Sequence, residues 1–336
     1  MSATIKDVAQ RAGVSISTVS KVINKSPSIS AATTALVEGA MKELRYYPNL
    51  RARNFAQKCT RNIIFMTRLH KDAAFDNPHM FEIMCGAQKT LFDKGYNLSI
   101  LSVPEDAEPA EEAERIIAQQ SADGLIIHGS ATTRLLSVLL SRESFPHMVI
   151  GKPDFESQLC WMDTNNCLSG EIAANHLLDC GYRRIAFFSG YESDQISANR
   201  LQGFLNVMKQ KEMEPALIRF TDSSKDTSYA RMCEVFDEGT VPEAVICENN
   251  SIALGVLKAV TERGLRVAED IGVITFDNYP YSLIMDPPPT VVNIDVYDMG
   301  LQAAAMLIRK IKKPTLQVQT YSTLPELIVR SSTRHG

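Results

Sequence analysis

The sequence lacks the features that mark a disulfide-linked, zinc-binding or membrane-spanning protein. Its seven cysteines are odd in number, scattered and without a CxxC pair, so neither a disulfide framework nor a zinc site is expected. The first residues, MSATIKD, form no apolar leader, and no apolar run approaches the roughly 18 residues that a membrane span requires. We therefore expect reduced cysteines, no membrane partner and a protein that stays in the cytoplasm.

Motifs of catalysis are also missing. No GxSxG elbow, phosphate-binding glycine loop, HExxH or GxGxxG follows a predicted strand. The histidines are isolated and do not have the spacing of metal ligands; they are His70, His79, His128, His147, His176 and His335. The sequence therefore predicts no enzyme, no catalytic residue, no metal and no cofactor.

Charge is unevenly distributed along the chain. The net charge is −4, yet residues 1–60 carry nine Lys and Arg against three acids, a surplus of +6, which leaves −10 on the remainder. A short basic module on a larger acidic body is typical of a protein whose module binds a polyanion. At 336 residues the chain is also long enough for two or three domains.

The first 47 residues have the periodicity of three short helices. Thr4, with Asp7 three residues later, can cap a first helix, which Gly13 ends. Ser15 can cap a second helix, and a third runs from about Ser30 to Leu44. Each helix has one apolar face, formed by Ile5, Val8, Ala9 and Ala12, by Val19, Val22 and Ile23, and by Leu36, Val37, Ala40, Met41 and Leu44.

The outer side of the second helix carries hydroxyls and a lysine. Two helices joined by a glycine turn, with such side chains on the second, form the layout of a helix that enters the DNA major groove. A small bundle that binds another protein is the alternative, but the surplus of +6 favours DNA. The exposed candidates are Ile16, Ser17, Ser20, Lys21 and Asn24.

A long ungapped motif covers this segment. Thr4–Asn24 reads TIKDVAQRAGVSISTVSKVIN, and Tyr46–Asn49 reads YYPN, followed by Ala52 and Arg53. The pattern resembles the LacI/GalR family of transcription regulators. The resemblance implies that Ile16, Ser17 and Lys21 contact base edges. It also implies backbone contacts or helix caps at Thr4, Ser15, Thr18, Ser20 and Asn24.

Lys21 is the strongest candidate for reading sequence. A lysine can donate to O6 and N7 of guanine, and a good contact of this kind contributes about 1–3 kcal/mol of discrimination. Ile16 could meet a thymine methyl, whereas Ser17 could accept almost any base. Phosphate contacts set the register and carry no sequence information.

The resemblance further implies a hinge helix at Asn49–Gln57 that orders on the operator, with Asn49, Arg51 and Arg53 among the DNA-binding residues. The family pattern PNxxARxL places a leucine wedge where this chain has Phe55. Phenylalanine is an accepted wedge in the minor groove, so we still expect this side chain to kink the operator DNA. The alternative is that Phe55 only packs against the hinge of a second copy.

From residue 62 onward, apolar strand patterns alternate with helices. This alternation predicts an α/β fold with mainly parallel, doubly wound sheets in two lobes. Strands are expected in one lobe at 62–67, 98–103, 124–128 and 148–150, and in the other at 161–163, 185–189, 244–248 and 272–276.

Two late segments are expected to cross between the lobes. The stretch 287–295 (PPPTVVNID) returns to the first lobe, and 326–330 (ELIVR) crosses back. The predicted domains are then a head at 1–47, a hinge and linker at 48–61 and an effector-binding body at 62–336. The body divides into a first lobe at about 62–159 and 290–319 and a second at about 160–289 and 320–336. The family resemblance implies the plan of periplasmic binding proteins.

Polar residues directly after the strands are candidates for an effector site between the lobes. The family resemblance implies effector contacts at Asp163, Arg200, Asn249 and Asp277, and His79 could point at the same ligand. For Asp163 a structural salt bridge is an equal alternative. An arginine with two carboxylates and an amide suits the hydroxyls of a neutral sugar.

Some positions depart from the family pattern. His79 and Met80 stand where an aromatic pair is usual, Asn250 where an aspartate is usual, and Ser223 where relatives often carry a stacking aromatic. Another aromatic could stack on the sugar; the candidates are Phe75, Trp161, Tyr279 and Tyr281.

We expect a sequence-specific repressor of a carbohydrate-utilisation operon. It would bind a pseudo-palindromic operator as a homodimer, since no leucine heptads that make tetramers follow the last strand. A sugar-like effector between the lobes would control it. The alternative is a cytoplasmic small-molecule-binding protein or enzyme whose N-terminal module serves assembly.

Overall fold

The computed structural model describes residues 3–24, 26–46, 59–71, 78–278, 281–316 and 320–334. The chain forms two compact units, Met1–Arg61 and Asn62–Gly336. The predictions for the hinge fall outside the described residues; these are Asn49, Arg51, Arg53 and Phe55.

Eleven α-helices lie within the described residues. They are α1 (Ile5–Ala12), α2 (Ile16–Ile23), α3 (Ala31–Glu43), α4 (Pro78–Asp93), α5 (Pro109–Ala118), α6 (Arg134–Arg142), α7 (Asn166–Asp179), α8 (Gln195–Gln210), α9 (Lys225–Asp237), α10 (Asn250–Glu262) and α11 (Val296–Lys312). A short 3₁₀ helix at Gly129–Ala131 follows the third strand.

Twelve strands complete the described part of the fold. They are β1 (Asn62–Thr67), β2 (Asn97–Ser102), β3 (Gly124–His128), β4 (His147–Ile150), β5 (Trp161–Thr164), β6 (Ile185–Ser189), β7 (Leu217–Phe220), β8 (Ala244–Cys247), β9 (Gly272–Phe276), β10 (Thr290–Asn293), β11 (Thr320–Thr323) and β12 (Glu326–Ile328).

The first unit is the predicted three-helix head, and its helix ends follow from local capping. Thr4 and Asp7 form a full capping box at the start of α1. Gly13 ends that helix in the left-handed region, at φ 68°. Ser15 and Ser30 cap α2 and α3 by accepting backbone N–H groups three residues later.

The core of the head forms where the three apolar faces meet. Val8, Val19 and Val37 have no exposed surface. The prediction that Leu36 closes this core is wrong, because its side chain is 61% exposed. Leu36 precedes Val37 by one residue, which places it about 100° around α3 from the buried face.

The second unit contains two sheets, and the prediction of mainly parallel, doubly wound sheets is confirmed. The first sheet has the order β11-β5-β4-β3-β1-β2 and the second β12-β10-β9-β8-β6-β7. Every neighbouring pair is parallel except β12 with β10. We call each sheet with the helices packed on it a lobe.

Three strands lie in the opposite lobe from the one predicted. β5 and β11 belong to the first sheet, where Val149 of β4 pairs with Trp161. β10 belongs to the second, where Val292 pairs with Phe276. The chain therefore passes from one lobe to the other after each of these strands and not before it. Strand patterns show burial but not which sheet edge receives the strand, so the sequence did not reveal this.

Helices cover both faces of each sheet, and contacts between helices stabilise each lobe. In the first lobe α4 packs against α11, and in the second α7 packs against α8. The buried strand residues contact these helices, as Phe65 and Phe187 do in their respective cores. Since β9 and β5 are buried between neighbours, the residues at their carboxyl ends have fixed positions.

Candidate functional site

A cavity of about 670 Å³ lies between the two lobes, at the carboxyl ends of their strands. All the predicted effector residues line it; they are His79, Asp163, Arg200, Asn249 and Asp277. His79 and Asp163 come from the first lobe, and the other three come from the second. Open α/β sheets bind ligands at this edge because the loops there change direction between strands and helices.

Asp277 is held in the middle of this cavity by its backbone. It follows β9 in the left-handed region at φ 72°, which aspartate tolerates better than most residues. Its N–H donates to the carbonyl of Val292 (3.1 Å), and its own carbonyl accepts from Asn250 Nδ2 (3.2 Å). The carboxylate therefore points into the cavity from a fixed support.

Arg200 is a buried cation, with only 4% of its surface exposed. Nη1 donates to the carbonyl of Glu248 (2.7 Å) and lies 3.3 Å from Glu248 Oε1, and Nε donates to Asn166 Oδ1 (3.2 Å). Nη2 lies 3.8 Å from Asp277 Oδ1. The guanidinium also stacks on Phe276, 4.4 Å from the ring centre. These contacts fix the orientation of the guanidinium.

His79 and Asp277 connect the two lobes across the cavity. His79 Nε2, in the first turn of α4, lies 3.3 Å from Asp277 Oδ2. Burial alone would lower the pKa of His79, but the Asp277 carboxylate outweighs burial and raises it. Burial alone would raise the pKa of Asp277, but His79 and Arg200 lower it. Both shifts favour the charged forms of the two side chains, and when His79 is protonated they form an ion pair between the lobes.

Asp163 and Asn249 are engaged mainly by backbone groups. Asp163 accepts from the N–H groups of Lys152 (3.0 Å) and Thr164 (2.7 Å), although burial still raises its pKa. Asn249 caps α10 by accepting the N–H of Ile252 (2.9 Å). Both side chains line the cavity, but part of their hydrogen-bonding capacity is already used.

Sequence reasoning missed Glu248 as a cavity residue. It directly follows β8, so the rule that selected Asn249 also applied to it, but it was assigned only to the end of the strand. Its side chain is buried, faces Arg200 and accepts from Asn249 Nδ2 (2.9 Å). Burial raises the pKa of Glu248.

The candidates for a stacking aromatic fall in different places. Tyr281 lines the cavity. Trp161 does not: it lies in a second hollow of about 500 Å³ beside Phe155, so the suggestion that it stacks on the effector is wrong. Phe75 and Tyr279 lie outside the described residues. Ser223 also lines the cavity, where it leaves a polar wall.

In the head, α2 presents its polar side outward. Ser17, Lys21 and Asn24 are exposed, and Ile16 is 45% exposed. The Ser15 hydroxyl lies 2.8 Å from those of Ser17 and Thr18, in addition to capping the helix. Thr4 is exposed, whereas Thr18 and Ser20 are half-buried. Buried Val19 and Val22 fix the opposite face, so the orientation of the polar side is set by the core.

In the described ranges, no three His, Cys, Asp or Glu side chains are grouped so that they could hold a metal ion. Nor does the described part of the chain contain a helix that is long and apolar enough to cross a membrane.

Known families match both units. Residues 4–49 match the bacterial regulatory proteins of the lacI family, and residues 174–333 match the periplasmic binding protein-like domain. The ribose operon repressor of Escherichia coli (strain K12) is 32% identical over 333 residues, which cover 98% of this chain and 99% of the relative. The transcriptional repressor PurR of Haemophilus influenzae (strain PittEE) is 30% identical over 337 residues, covering 99% of each chain.

Solved structures agree with this match. The lac repressor dimer bound to operator and the anti-inducer ONPF superposes with a TM-score of 0.82 at 26% identity, covering all of both chains. The transcriptional regulator CelR in complex with cellobiose gives 0.72 at 28% identity, covering 98% of this chain and 99% of that one.

A helix-turn-helix head and a two-lobed body with a polar cavity together define a DNA-binding regulator that responds to a small molecule. Its relatives across nearly the full chain are transcriptional repressors. The chain belongs to the LacI family of bacterial regulatory proteins.

Proposed function

We propose that this protein represses a carbohydrate-utilisation operon and that a sugar-like effector in the cavity between the lobes controls its binding to DNA. The observation that carries this proposal is the cavity itself, in which Asp163, Arg200 and Asp277 offer carboxylates and a guanidinium to a buried ligand. The similarity to a ribose operon repressor and to a regulator bound to cellobiose supports a sugar. A repressor acts where the operator DNA is, so we propose that the protein works in the cytoplasm.

In this proposal the head reads the operator through the exposed side of α2. Lys21 donates to guanine, and Ile16 and Ser17 contact neighbouring base edges. Thr4, Ser15, Thr18, Ser20 and Asn24 set the register on the backbone or cap the helices. Two copies bind a pseudo-palindromic operator, as the solved lac repressor dimer on its operator supports. Asn49, Arg51, Arg53 and Phe55 complete the DNA contacts.

Control by the effector requires two states of the body. A ligand held by Asp163 of the first lobe and Arg200 and Asp277 of the second favours one degree of closure of the cavity. Operator affinity then changes if the two closures differ in their affinity for DNA. Asn249 and His79 complete the effector site.

Selection of operator DNA from sheared genomic fragments tests the regulator function. We expect the full-length protein to enrich fragments that share a pseudo-palindrome and to retain them against competing nonspecific DNA over a range of salt concentrations. Enrichment of no common sequence would refute the proposal.

Lys21→Ala tests the assignment of the base reader. We expect the selected sequence to relax at one position in each half-site, with a loss of about 1–3 kcal/mol against the preferred base. Lys42→Ala, which removes an exposed lysine from α3 instead, is the matched control. An unchanged sequence preference in Lys21→Ala would show that another residue reads the base.

A further inference from the structure

Acidic side chains outnumber cations around the cavity. Of the described residues that line it, five are carboxylates and two are permanent cations, Lys152 and Arg200. Lys152 is exposed at the rim, as is Asp154 two residues later. Burial lowers the pKa of His128, which keeps this lining histidine neutral. With His79 counted as a third cation when it is protonated, carboxylates still outnumber cations around the cavity.

Arg200 has little capacity left for an anion. Its Nε and Nη1 already donate to Asn166 and Glu248, and Nη2 faces Asp277. An arginine that receives a phosphate or carboxylate normally offers two parallel N–H groups to it. Here such a pair would have to be taken from the buried partners of Arg200.

Three helices that begin at the cavity each have one N-terminal N–H group bound by a capping side chain. A helix N-terminus binds phosphate through free backbone N–H groups. Asp194 accepts the N–H of Ser197 at the start of α8 (2.8 Å), and Asn249 does the same for Ile252 at α10. Asn165 caps α7 in the same way. These side chains compete with any anion for those N–H groups.

Of the buried carboxylates in the cavity, Glu248 has the weakest combination of positive charges and N–H donors beside it to balance a negative charge. His79 and Arg200 face Asp277, and backbone N–H groups bind Asp163, whereas Glu248 shares Arg200 with Asp277 and is otherwise bound by Asn249. A Cβ at Gly190 would lie 3.1 Å from Glu248 Oε2 and 2.4 Å from Ser223 Oγ, so this wall is closely packed and polar. The carboxyl group has little room to turn away from a ligand.

We propose that Glu248 makes this effector site reject anionic ligands, so that the effector is an uncharged or cationic polyhydroxyl compound and not a sugar phosphate or sugar acid. Hydroxyl groups can donate to the Glu248 carboxylate, whereas a phosphate would bring like charge next to it. Burial raises the pKa of Glu248 and Arg200 opposes that shift, so the rejection requires the ionised form of Glu248, which its contact with Arg200 favours. The inference rests on the proposed function, since it specifies the ligand class of the same cavity.

Paired ligands test the inference on the full-length protein. The probes are D-ribose with ribose 5-phosphate, D-glucose with glucose 6-phosphate, and cellobiose with cellobionic acid, compared by thermal shift and then calorimetry at one pH and ionic strength. We expect at least one neutral sugar to raise the melting temperature and its anionic partner to bind about 100-fold more weakly. An anionic member that binds more tightly than its neutral partner would overturn the inference but leave the proposed function intact.

Glu248→Gln assigns the rejection to this residue. The substitution preserves shape and removes one charge, so the ratio of the two dissociation constants should fall by about tenfold or more. Glu238→Gln is the control, because Glu238 lies on the surface of the same lobe, paired with Arg219, and should leave the ratio unchanged. A ratio in Glu248→Gln equal to that of the wild type would attribute the exclusion to shape and refute the role of Glu248.

The remaining outcomes are also decisive. If Glu248→Gln does not fold, as judged by circular dichroism, the wild-type comparison decides the ligand class alone. If no member of any pair stabilises the protein, the proposed sugar effector fails, and the inference fails with it.

Discussion

At the scale of single residues, buried His147 and half-buried His79 show how the surroundings of a histidine determine the effect of pH on the stability of this fold. His147 donates from Nδ1 to the carbonyl of Phe145 (2.7 Å) and accepts the N–H of Cys160 at Nε2 (3.1 Å). Burial lowers its pKa from 6.5 to about 4, and a proton on Nε2 would break the bond from Cys160. His79 has the opposite shift, because Asp277 raises its pKa.

His147 should make the second unit sensitive to acid. Between pH 6.5 and about 4 the unfolded chain binds a proton at this position and the folded chain does not, so stability falls by up to about 3 kcal/mol as the pH falls. His147→Asn can keep the hydrogen bond to the carbonyl of Phe145 and cannot titrate. The difference in unfolding free energy between the two proteins, measured with urea at several pH values, should therefore narrow toward pH 4. A constant difference would contradict the assigned protonation.

The positions of the cavity residues could be predicted, but their partners could not. Asp277 directly follows β9 and Asp163 lies in the last two residues of β5, and this alone places both at the carboxyl edge of a sheet. The engagement of Arg200 depends on Asn166 and Glu248, which are 34 and 48 residues away in the chain. No local pattern in a single sequence records such contacts.

At the scale of elements, both lobes contain pairs of helices that touch at glycines. In the first lobe a Cβ at Gly86 would lie 2.1 Å from the carbonyl of Tyr297, and one at Gly300 would lie 2.1 Å from that of Ile83. Gly170 of α7 meets the carbonyl of Arg200 in the same way, at 2.0 Å. The close approach of α7 to α8 thus helps to fix the helix that carries Arg200.

Gly300→Ala and Gly39→Ala should have opposite effects on stability. Gly300→Ala forces α4 away from α11 and should destabilise the second unit by about 1–3 kcal/mol. Gly39 lies inside α3 with nothing within 4 Å of an added Cβ, so Gly39→Ala should stabilise the head by about 0.5–1 kcal/mol. Hydrogen–deuterium exchange followed by mass spectrometry reports each unit separately. A Gly300→Ala variant whose second unit is as stable as that of the wild type would contradict the close contact between α4 and α11.

Helices and strands were more predictable than their assembly. The apolar runs at β1, β3, β6 and β9 are each buried on both faces, which is the pattern that predicted them. The lobe that each of β5, β10 and β11 joins depends on which sheet edge is open to pair with it, and this is a property of the whole fold.

At the scale of the whole molecule, the ion pair between His79 and Asp277 joins the two lobes directly. Besides Asp277, the charged groups that act on His79 are Arg200, which lowers its pKa, and Glu82, which raises it. Since the folded pKa is raised, the pair stabilises the second unit fully below the ordinary pKa of histidine. That contribution is lost as the pH rises through the folded pKa.

His79→Gln should therefore cost stability only in part of the pH range. We expect the wild type to melt at a higher temperature than His79→Gln below about pH 6.5, with a difference that shrinks as the pH is raised. His176→Gln serves as a control, because burial lowers the pKa of that histidine and the sign of its pH dependence is opposite. A difference in melting temperature that grows with pH would contradict the ion pair.

The most direct test of the account is a titration of labelled operator DNA, followed by fluorescence anisotropy, with and without a neutral sugar that binds the protein. In the wild type the sugar should change the dissociation constant for operator by about 5- to 150-fold, the usual range of coupling between two sites. Asp277→Asn keeps a residue that tolerates the left-handed backbone at this position, loses the central carboxylate, and should show no change at the same sugar concentration. An operator affinity that is identical with and without a sugar bound in the cavity would contradict the central claim.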